Sequence, residues 1–448
     1  MQVELADCVQ QLQACYSGNN CMIHGVSIDS RTTQPGDLFI AIAGDTFDGH
    51  DFIDQAKARG AAAVMVHREA LAAGHVLVPD TQAALLNLAA WWRSQFTLPV
   101  VAITGSCGKT STRALLESIL SGYGVTLASQ KSYNNHIGVP LTVFQLRPEH
   151  QYAVFEIGAN HAGEIDTLVK VVRPTVSILT CAAAAHLQGF GSLEGVAAAK
   201  AEIFSTLSAG HTAVINHDDP FASYWRKMVP SAARIRSFSI YESAADVALS
   251  AQAVNASGGT DFTATTSEQQ LAVSLPLVGA HQVANALAAI AAAGALAVPA
   301  AAIQAGLSQV TAPERRMSIL RGRSCAKVID DSYNANPSSV QAAIAVLSAN
   351  SGIRVLVLGD MNELGASSAY WHQQVGAAAK AAGVDYLFCY GPLSIEAARA
   401  FGSQGHHFTD HQQLIAALEP ILASTVSVLV KGSNAMQMDR VVAGLIQE

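Results

Sequence analysis

At 448 residues the chain is too long for one compact core of ordinary size, which predicts two or three domains. Half of the residues are apolar and the formal net charge is -8, so the clustered Lys/Arg surface that neutralises nucleic-acid phosphates is not expected. Seven scattered cysteines without a Cys-x-x-Cys spacing argue against a disulfide framework and fit reduced thiols in a cytosolic protein.

The opening residues carry Glu4 and Asp7 and lack a basic start followed by an apolar run, so no targeting signal is expected. No segment reaches about 20 strongly apolar residues, so no membrane span is expected either. Up to Asp80, short mixed segments interleave: 37–42 predicts a strand, 51–58 a helix and 61–66 a buried strand. That texture predicts a small α/β domain over residues 1–80.

Residues 81–312 predict a second, larger domain. A helix ending near Gln95 leads into the apolar run Val100-Val101-Ala102-Ile103, then a Gly-rich loop and a helix over 110–120. Apolar runs at 153–157, 176–180 and 212–216 alternate with helical segments, the order of parallel strands joined by crossover helices. Between 251 and 277, Thr/Ser-rich alternation with Leu271, Val273 and Leu275 predicts a small antiparallel sheet appended to the parallel one. Residues 313–448 resume the α/β alternation, with buried strands at 327–331, 353–359, 386–390 and 426–430, and predict a Rossmann-like third domain. The fold class is therefore α/β in three domains.

Gly105-Ser106-Cys107-Gly108-Lys109-Thr110, followed by Ser111, lies between an apolar strand and a helix, the context a phosphate loop requires. Glycines let the backbone approach phosphates, the helix N-terminus supplies positive potential, Lys109 adds a full charge, and the Thr110 hydroxyl suits Mg²⁺. Ile103 stands where the general Walker pattern has its first glycine, so this is the shorter GxxGK[ST] form; a Gly-rich turn capping a helix is the alternative. ATP with Mg²⁺ is the expected ligand. Glu156 ends a predicted buried strand, where a carboxylate needs either a cation or a salt-bridge partner. Read alone, His186 is a structural histidine and Lys200 a solvated helix residue. His281 and Asn285 share one helix face, turned either toward a base or into the core.

Several motifs follow one another in an order that resembles a known family. They are the phosphate loop, Ser132-Tyr133-Asn134-Asn135-His136-Ile137-Gly138-Val139-Pro140, Phe155-Glu156-Ile157-Gly158-Ala159-Asn160, His186, Lys200-Ala201-Glu202-Ile203 and Gly279-Ala280-His281-Gln282-Val283-Ala284-Asn285. They resemble the Mur ligases, ATP-dependent amide-forming enzymes of peptidoglycan precursor synthesis. Asp330-Asp331-Ser332-Tyr333-Asn334-Ala335-Asn336-Pro337, Leu358-Gly359-Asp360-Met361-Asn362-Glu363-Leu364-Gly365 and Lys431-Gly432-Ser433 are similar to the branch that adds D-alanyl-D-alanine to UDP-N-acetylmuramoyl-tripeptide. The Asp-Asn-Pro-Arg selector of the diamino-acid-adding branch is absent from the sequence. Cys181-Ala182-Ala183-Ala184-Ala185 departs from the family's Thr-Asn-Ile-Gly-like stretch.

The resemblance implies phosphoryl transfer from ATP to the tripeptide carboxylate, then attack by the dipeptide amine on the acyl phosphate. It implies that Lys109 neutralises the β/γ oxygens and that Thr110 and Glu156 hold one Mg²⁺, with His186 and a CO₂-modified Lys200 at a second. His281 and Asn285 are implied on the adenine side, and Arg315 and Asp331 reach the nucleotide from the third domain. Ser30 and Arg31, with Asn134 and Asn135, are implied at the UDP substrate; for Asp45 and Asp48 a surface salt bridge is the alternative. Tyr333, Asn334 and Asn336 are implied on the D-alanyl-D-alanine side. The expected molecule is a cytoplasmic monomer that closes on small-molecule substrates, with no nucleic-acid or membrane partner. The rivals are another enzyme of the superfamily (a different Mur ligase or a folylpolyglutamate synthetase), a non-catalytic ATP-binding regulator, and a P-loop kinase or GTPase.

Overall fold

A computed structural model describes residues 1–44, 46–68, 72–130, 133–255 and 258–446. Its centre follows from the run Val100-Val101-Ala102-Ile103, which is fully buried. A strand covered on both faces must be apolar at every position. Val100–Thr104 is such a strand: Val100 and Ala102 point into one core, Val101 and Ile103 into the other. It pairs in parallel with Tyr152–Glu156 on one side and Val176–Leu179 on the other. Helices Thr81–Ser94 and Glu164–Val172 pack on the first core, and Lys109–Ser121, Ala280–Ala295 and Ala300–Gln309 on the second.

The full central sheet has nine strands, in the order Gln270–Leu275, Thr260–Thr266, Val247–Val254, Arg234–Ser239, Thr212–Asn216, Val176–Leu179, Val100–Thr104, Tyr152–Glu156, Thr126–Ala128. The predicted antiparallel sheet is not separate. Val247–Val254 joins the parallel strands through the pairs Phe238–Val247 and Ser239–Ala248, and the last two strands continue it antiparallel. Leu271, Val273 and Leu275 face the core while their neighbours are exposed, as the alternation predicts.

Two larger sheets and a two-stranded one, Val3–Glu4 with Met22–Ile23, accompany it among the described residues. A five-stranded sheet runs Cys15–Ser17, His75–Leu77, Ala63–Val66, Asp37–Ile40, Gly25–Ser27. Its Leu38 and Ile40 belong to the same core as Leu85 and Leu88 of Thr81–Ser94, whose N-terminus is capped by the Asp80 carboxylate. A six-stranded sheet runs Ser318–Arg321, Lys327–Asp331, Val426–Lys431, Ile353–Gly359, Tyr386–Tyr390, Gly405–Phe408, with only the first pair antiparallel.

The chain reverses direction across the central sheet at Val100–Thr104. It goes outward to Thr126–Ala128, returns through Tyr152–Glu156, and then crosses to Val176–Leu179. The loops after these strands diverge and leave a crevice at the carboxyl ends, the place where open α/β sheets take ligands.

Candidate active site

The crevice is a cavity of about 890 Å³. At its floor the chain leaves Val100–Thr104 through Gly105 and enters Lys109–Ser121. Gly105 and Gly108 have φ of 152° and 83°. A methyl at Gly105 would lie 1.8 Å from Thr180 Oγ1, and one at Gly108 2.4 Å from Asn285 Oδ1, so only glycine fits either position. Thr180 Oγ1 donates to the Cys107 carbonyl at 2.5 Å, and the Ser106 amide donates to the Cys181 carbonyl at 2.9 Å, which ties the loop to the neighbouring strand. Ser106 through Ser111 line the cavity, so the free amides at the helix start supply positive potential there. Lys109 Nζ donates back to the Gly105 carbonyl at 2.7 Å.

Glu156, at the end of the adjacent strand, is 2% exposed. Its two oxygens accept from Thr110 Oγ1 at 2.7 Å and Asn134 Nδ2 at 2.8 Å. The carboxylate is thus met by neutral donors rather than by the salt bridge considered from sequence. His186 pairs through Nδ1 with the carboxylate of Glu363 from the third sheet's loops. Both residues sit at left-handed φ, 53° and 64°, a conformation that costs free energy and recurs at ligand sites.

Lys200 is not a solvated helix residue. It is 2% exposed, in Leu193–Ala201, with Nζ 5.6 Å over the Phe190 ring, which also contacts His186 edge-on. Burial, reinforced by the positive charge of Lys109, lowers its pKa to about 7. Sequence spacing could not reveal this, because the residues that bury Lys200 come from other elements.

The opposite wall joins the helix Ala280–Ala295 to the third sheet. His281, Gln282, Ala284 and Asn285 line the cavity. Burial pushes the His281 imidazole down to about 4, so it is neutral at physiological pH. Asn285 is engaged with its neighbours, accepting from Thr112 Oγ1 at 3.4 Å and donating to Gln282 Oε1 at 3.2 Å. From the third sheet, Asp331 pairs with Lys431, whose Nζ also donates to the Asn334 carbonyl at 2.9 Å. Asn336 Nδ2 donates to Cys107 Sγ at 3.1 Å, a direct contact between this unit and the phosphate loop. An interaction from the Cys181 thiol, with help from Asn336 and the charges of Lys109 and Lys431, holds the Cys107 thiol below its usual range.

Not every expected residue comes here. Arg315 does not line the cavity: its guanidinium donates to Ser332 Oγ at 3.1 Å, to the Ser332 carbonyl at 2.9 Å and to Asp439 at 3.2 Å. The next residue, Arg316, lines it instead and stacks 4.2 Å over the Tyr333 ring. Sequence reading missed Arg316, Thr180 and the pairing role of Lys431. Asn135, Tyr333 and Asn334 line the same space. Ser30, Arg31, Asp48 and Lys200 do not. Ser30 Oγ donates to Gln55 at 2.6 Å, and Arg31, its side chain 80% exposed, pairs with Asp29 at 2.7 Å. Asp48 caps His50 and pairs with Arg68, which is the ion-pair alternative. Asp45, like Ser132 of the paired-Asn motif, lies outside the described residues.

Comparison with known proteins adds an independent line. A family model of the Mur ligase middle domain matches residues 103–293, one of the Mur ligase glutamate ligase domain matches 315–434, and one of the Mur ligase family catalytic domain matches 22–89. The UDP-N-acetylmuramoyl-tripeptide--D-alanyl-D-alanine ligase of Escherichia coli (strain K12) is 43% identical over 447 residues, covering 99% of this chain and 98% of its own. MurF from Acinetobacter baumannii superposes with a TM-score of 0.94 at 34% identity, covering 99% of this chain and 98% of that one. The MurF ligase from Thermotoga maritima in complex with ADP gives a TM-score of 0.83 at 26% identity, covering 94% and 96%.

Proposed function

The chain belongs to the Mur ligase family, and from that premise we infer that it is an ATP-dependent ligase joining D-alanyl-D-alanine to UDP-N-acetylmuramoyl-tripeptide in peptidoglycan synthesis. The observation that carries the reading to this chain's own residues is the convergence on one cavity of the phosphate loop, Glu156 and the Asp331–Lys431 pair. A kinase or GTPase loop by itself has no use for the second group, and the family excludes a stand-alone loop protein.

Carboxylate is a poor electrophile, so amide formation requires activation. The proposed route transfers the γ-phosphoryl group of ATP to the terminal carboxylate of the tripeptide, giving ADP and an acyl phosphate. The dipeptide amine then attacks the acyl carbon and inorganic phosphate leaves with the C–O bonding pair. The protein's work in the first step is to position the partners and balance charge. Lys109, now folded onto Gly105, reaches forward to the β/γ oxygens, and the amides of the helix start hold the β-phosphate. Neutral His281 offers an uncharged partner to the base, while Asp331, held by Lys431, meets the ribose. Arg315 reaches the γ-phosphate only if it leaves Asp439, which makes it part of a closing movement.

The donor set fits Mg²⁺. Thr110 and Glu156 present hard oxygens 2.7 Å apart, the sparse protein contribution typical of a cation carried by a triphosphate. His186 with a CO₂-modified Lys200 would hold a second; a buried amine whose pKa is near 7 is neutral often enough to react with CO₂. Bound there, the cations would neutralise the phosphate charge.

The division of labour is proposed as residues 1–80 for the UDP end, 81–312 for ATP and 313–448 for the amino substrate. Exposed Arg31 suits a diphosphate, since its fork can span two oxygens. Among the described residues no helix is long and apolar enough to cross a membrane. ATP use supports a cytoplasmic setting. The test is phosphate release from ATP with UDP-tripeptide and D-alanyl-D-alanine each omitted in turn. Release must require both, and neither diaminopimelate nor glutamate should replace the dipeptide.

A further inference from the structure

Two thiols meet at the phosphate loop. Cys107 and Cys181 both line the main cavity, and their side chains hydrogen-bond to one another. Their segments are held side by side. The Ser106 amide donates to the Cys181 carbonyl at 2.9 Å, Thr180 Oγ1 donates to the Cys107 carbonyl at 2.5 Å, and Cys181 Sγ lies 3.8 Å from that same carbonyl oxygen. None of the other five cysteines lines this cavity. Cys181 opens the segment where this sequence departs from its family's pattern, and no step of the ligase route uses either thiol.

The two sulfurs are unequal. Cys107 stands just before the helix Lys109–Ser121, whose N-terminus favours an anion, and Asn336 Nδ2 donates to its Sγ at 3.1 Å. The Cys181 thiol, Asn336 and the charges of Lys109 and Lys431 hold the Cys107 thiol below its usual range. The Cys107 sulfur and burial push the Cys181 thiol up. A thiolate attacks whereas a thiol does not, so the geometry supplies an attacking sulfur with a resolving one beside it.

We propose that Cys107 and Cys181 form a reversible redox switch on nucleotide binding, with hydrogen peroxide or a related hydroperoxide as the oxidant. The Cys107 thiolate attacks a peroxide oxygen: an S–O bond forms, the O–O bond breaks, and the departing hydroxide takes a proton to leave as water. Cys181 then gives up its proton and attacks the Cys107 sulfur. An S–S bond forms, the S–O bond breaks and a second water leaves. The pair of thiols is oxidised by two electrons and the peroxide is reduced by two. Exchange with a cytoplasmic thiol pool reverses the step.

Bridging brings the two sulfurs to about 2 Å from one another, which draws Cys107 away from Asn336. A disulfide sulfur carries no negative charge and accepts weakly, so the link from the loop to the third unit is lost. The loop has little room to adjust at its glycines, because Thr180 packs against Gly105 and Asn285 against Gly108. The oxidised loop therefore holds phosphates poorly until it is reduced.

The test compares reduced and peroxide-treated full chain, each protein measured against its own reduced form. Peptide mapping of oxidised wild type by mass spectrometry should find a Cys107–Cys181 bridge. Calorimetric titration should show ATP affinity falling by about tenfold or more, the scale of one lost hydrogen bond to a charged group, and dithiothreitol should restore it. Cys107→Ser is expected to bind ATP alike before and after peroxide. In Cys181→Ser no resolving sulfur remains, so dimedone should trap a sulfenic acid at Cys107 and prolonged exposure should make the loss irreversible. A wild type without the bridge, or a peroxide effect that survives in Cys107→Ser, would overturn the switch. Reduced wild type that binds no ATP would instead sink the nucleotide reading on which the switch rests, so the two failures are distinct.

Discussion

Lys200 shows most clearly how burial sets chemistry at one residue. Its ammonium is lost as pH rises through about 7, so the neutral amine able to take up CO₂ is the minor form below that value and the major form above it. Activity at limiting bicarbonate is expected to fall as pH drops below about 7 and to be partly restored by added bicarbonate. Lys200→Ala should lower kcat by about a hundredfold or more and remove the bicarbonate response. Persistence of either activity or response in the variant would sink the modification. Gly108 is the second case. Alanine there meets Asn285 Oδ1 at 2.4 Å and must hold φ of 83°, a strain of roughly 1–2 kcal/mol. Gly108→Ala should raise KM for ATP by about tenfold or more, and adding Asn285→Ala should recover only part, since the clash is relieved but the backbone strain is not.

At the scale of elements, Pro337–Ser348 does two jobs from its first turn. Asn336 accepts from the Ser339 amide at 2.9 Å and Ser339 Oγ accepts from the Asn336 amide at 3.0 Å, a reciprocal cap. The same Asn336 side chain touches Cys107. Losing the cap costs about 1 kcal/mol. Asn336→Ala and Ser339→Ala are both expected to lower stability by that order in urea denaturation, but only Asn336→Ala should also raise KM for ATP. Equal kinetic effects would mean that the contact with the phosphate loop is incidental. Most of these elements were legible in the sequence. The continuous apolar run at 100–103 and the alternation at 271–275 each carried their own period, and the Gly-x-x-Gly-Lys-Thr spacing located the loop. The single nine-stranded sheet was not legible, because the strand pattern does not say that Val247–Val254 pairs in parallel with the strand just before it through Phe238–Val247.

For the whole molecule, the contacts that join the third unit to the central one at the site include Asn336 with Cys107, Glu363 with His186, and the Gln188 amide donating to the Glu363 carbonyl at 3.3 Å. The ion pair occupies only His186 Nδ1, which leaves the Nε2 side of the imidazole for a ligand, so the pair can hold the third unit against the central one without being broken. Glu363→Ala is expected to enlarge the radius of gyration of the ligand-free protein, measured by small-angle scattering. ATP and UDP-tripeptide together should return it to the wild-type liganded value. An unchanged radius in every state would show that the pair holds nothing.

The phosphate loop, the order of motifs and the alternation of strands and helices were determined by sequence alone, because each rests on spacing within a few turns of chain. Which of those residues share a cavity was decided only by the tertiary structure. It brought Arg316 rather than Arg315 to the site, turned Asp48 to Arg68, and buried Lys200 beneath Phe190. It also set the alanine segment opposite Trp371. The physical reason is common to all four. Burial and pairing depend on how separate elements fold against one another, some near in the chain and some far, and the identity of a residue carries no record of what will pack against it.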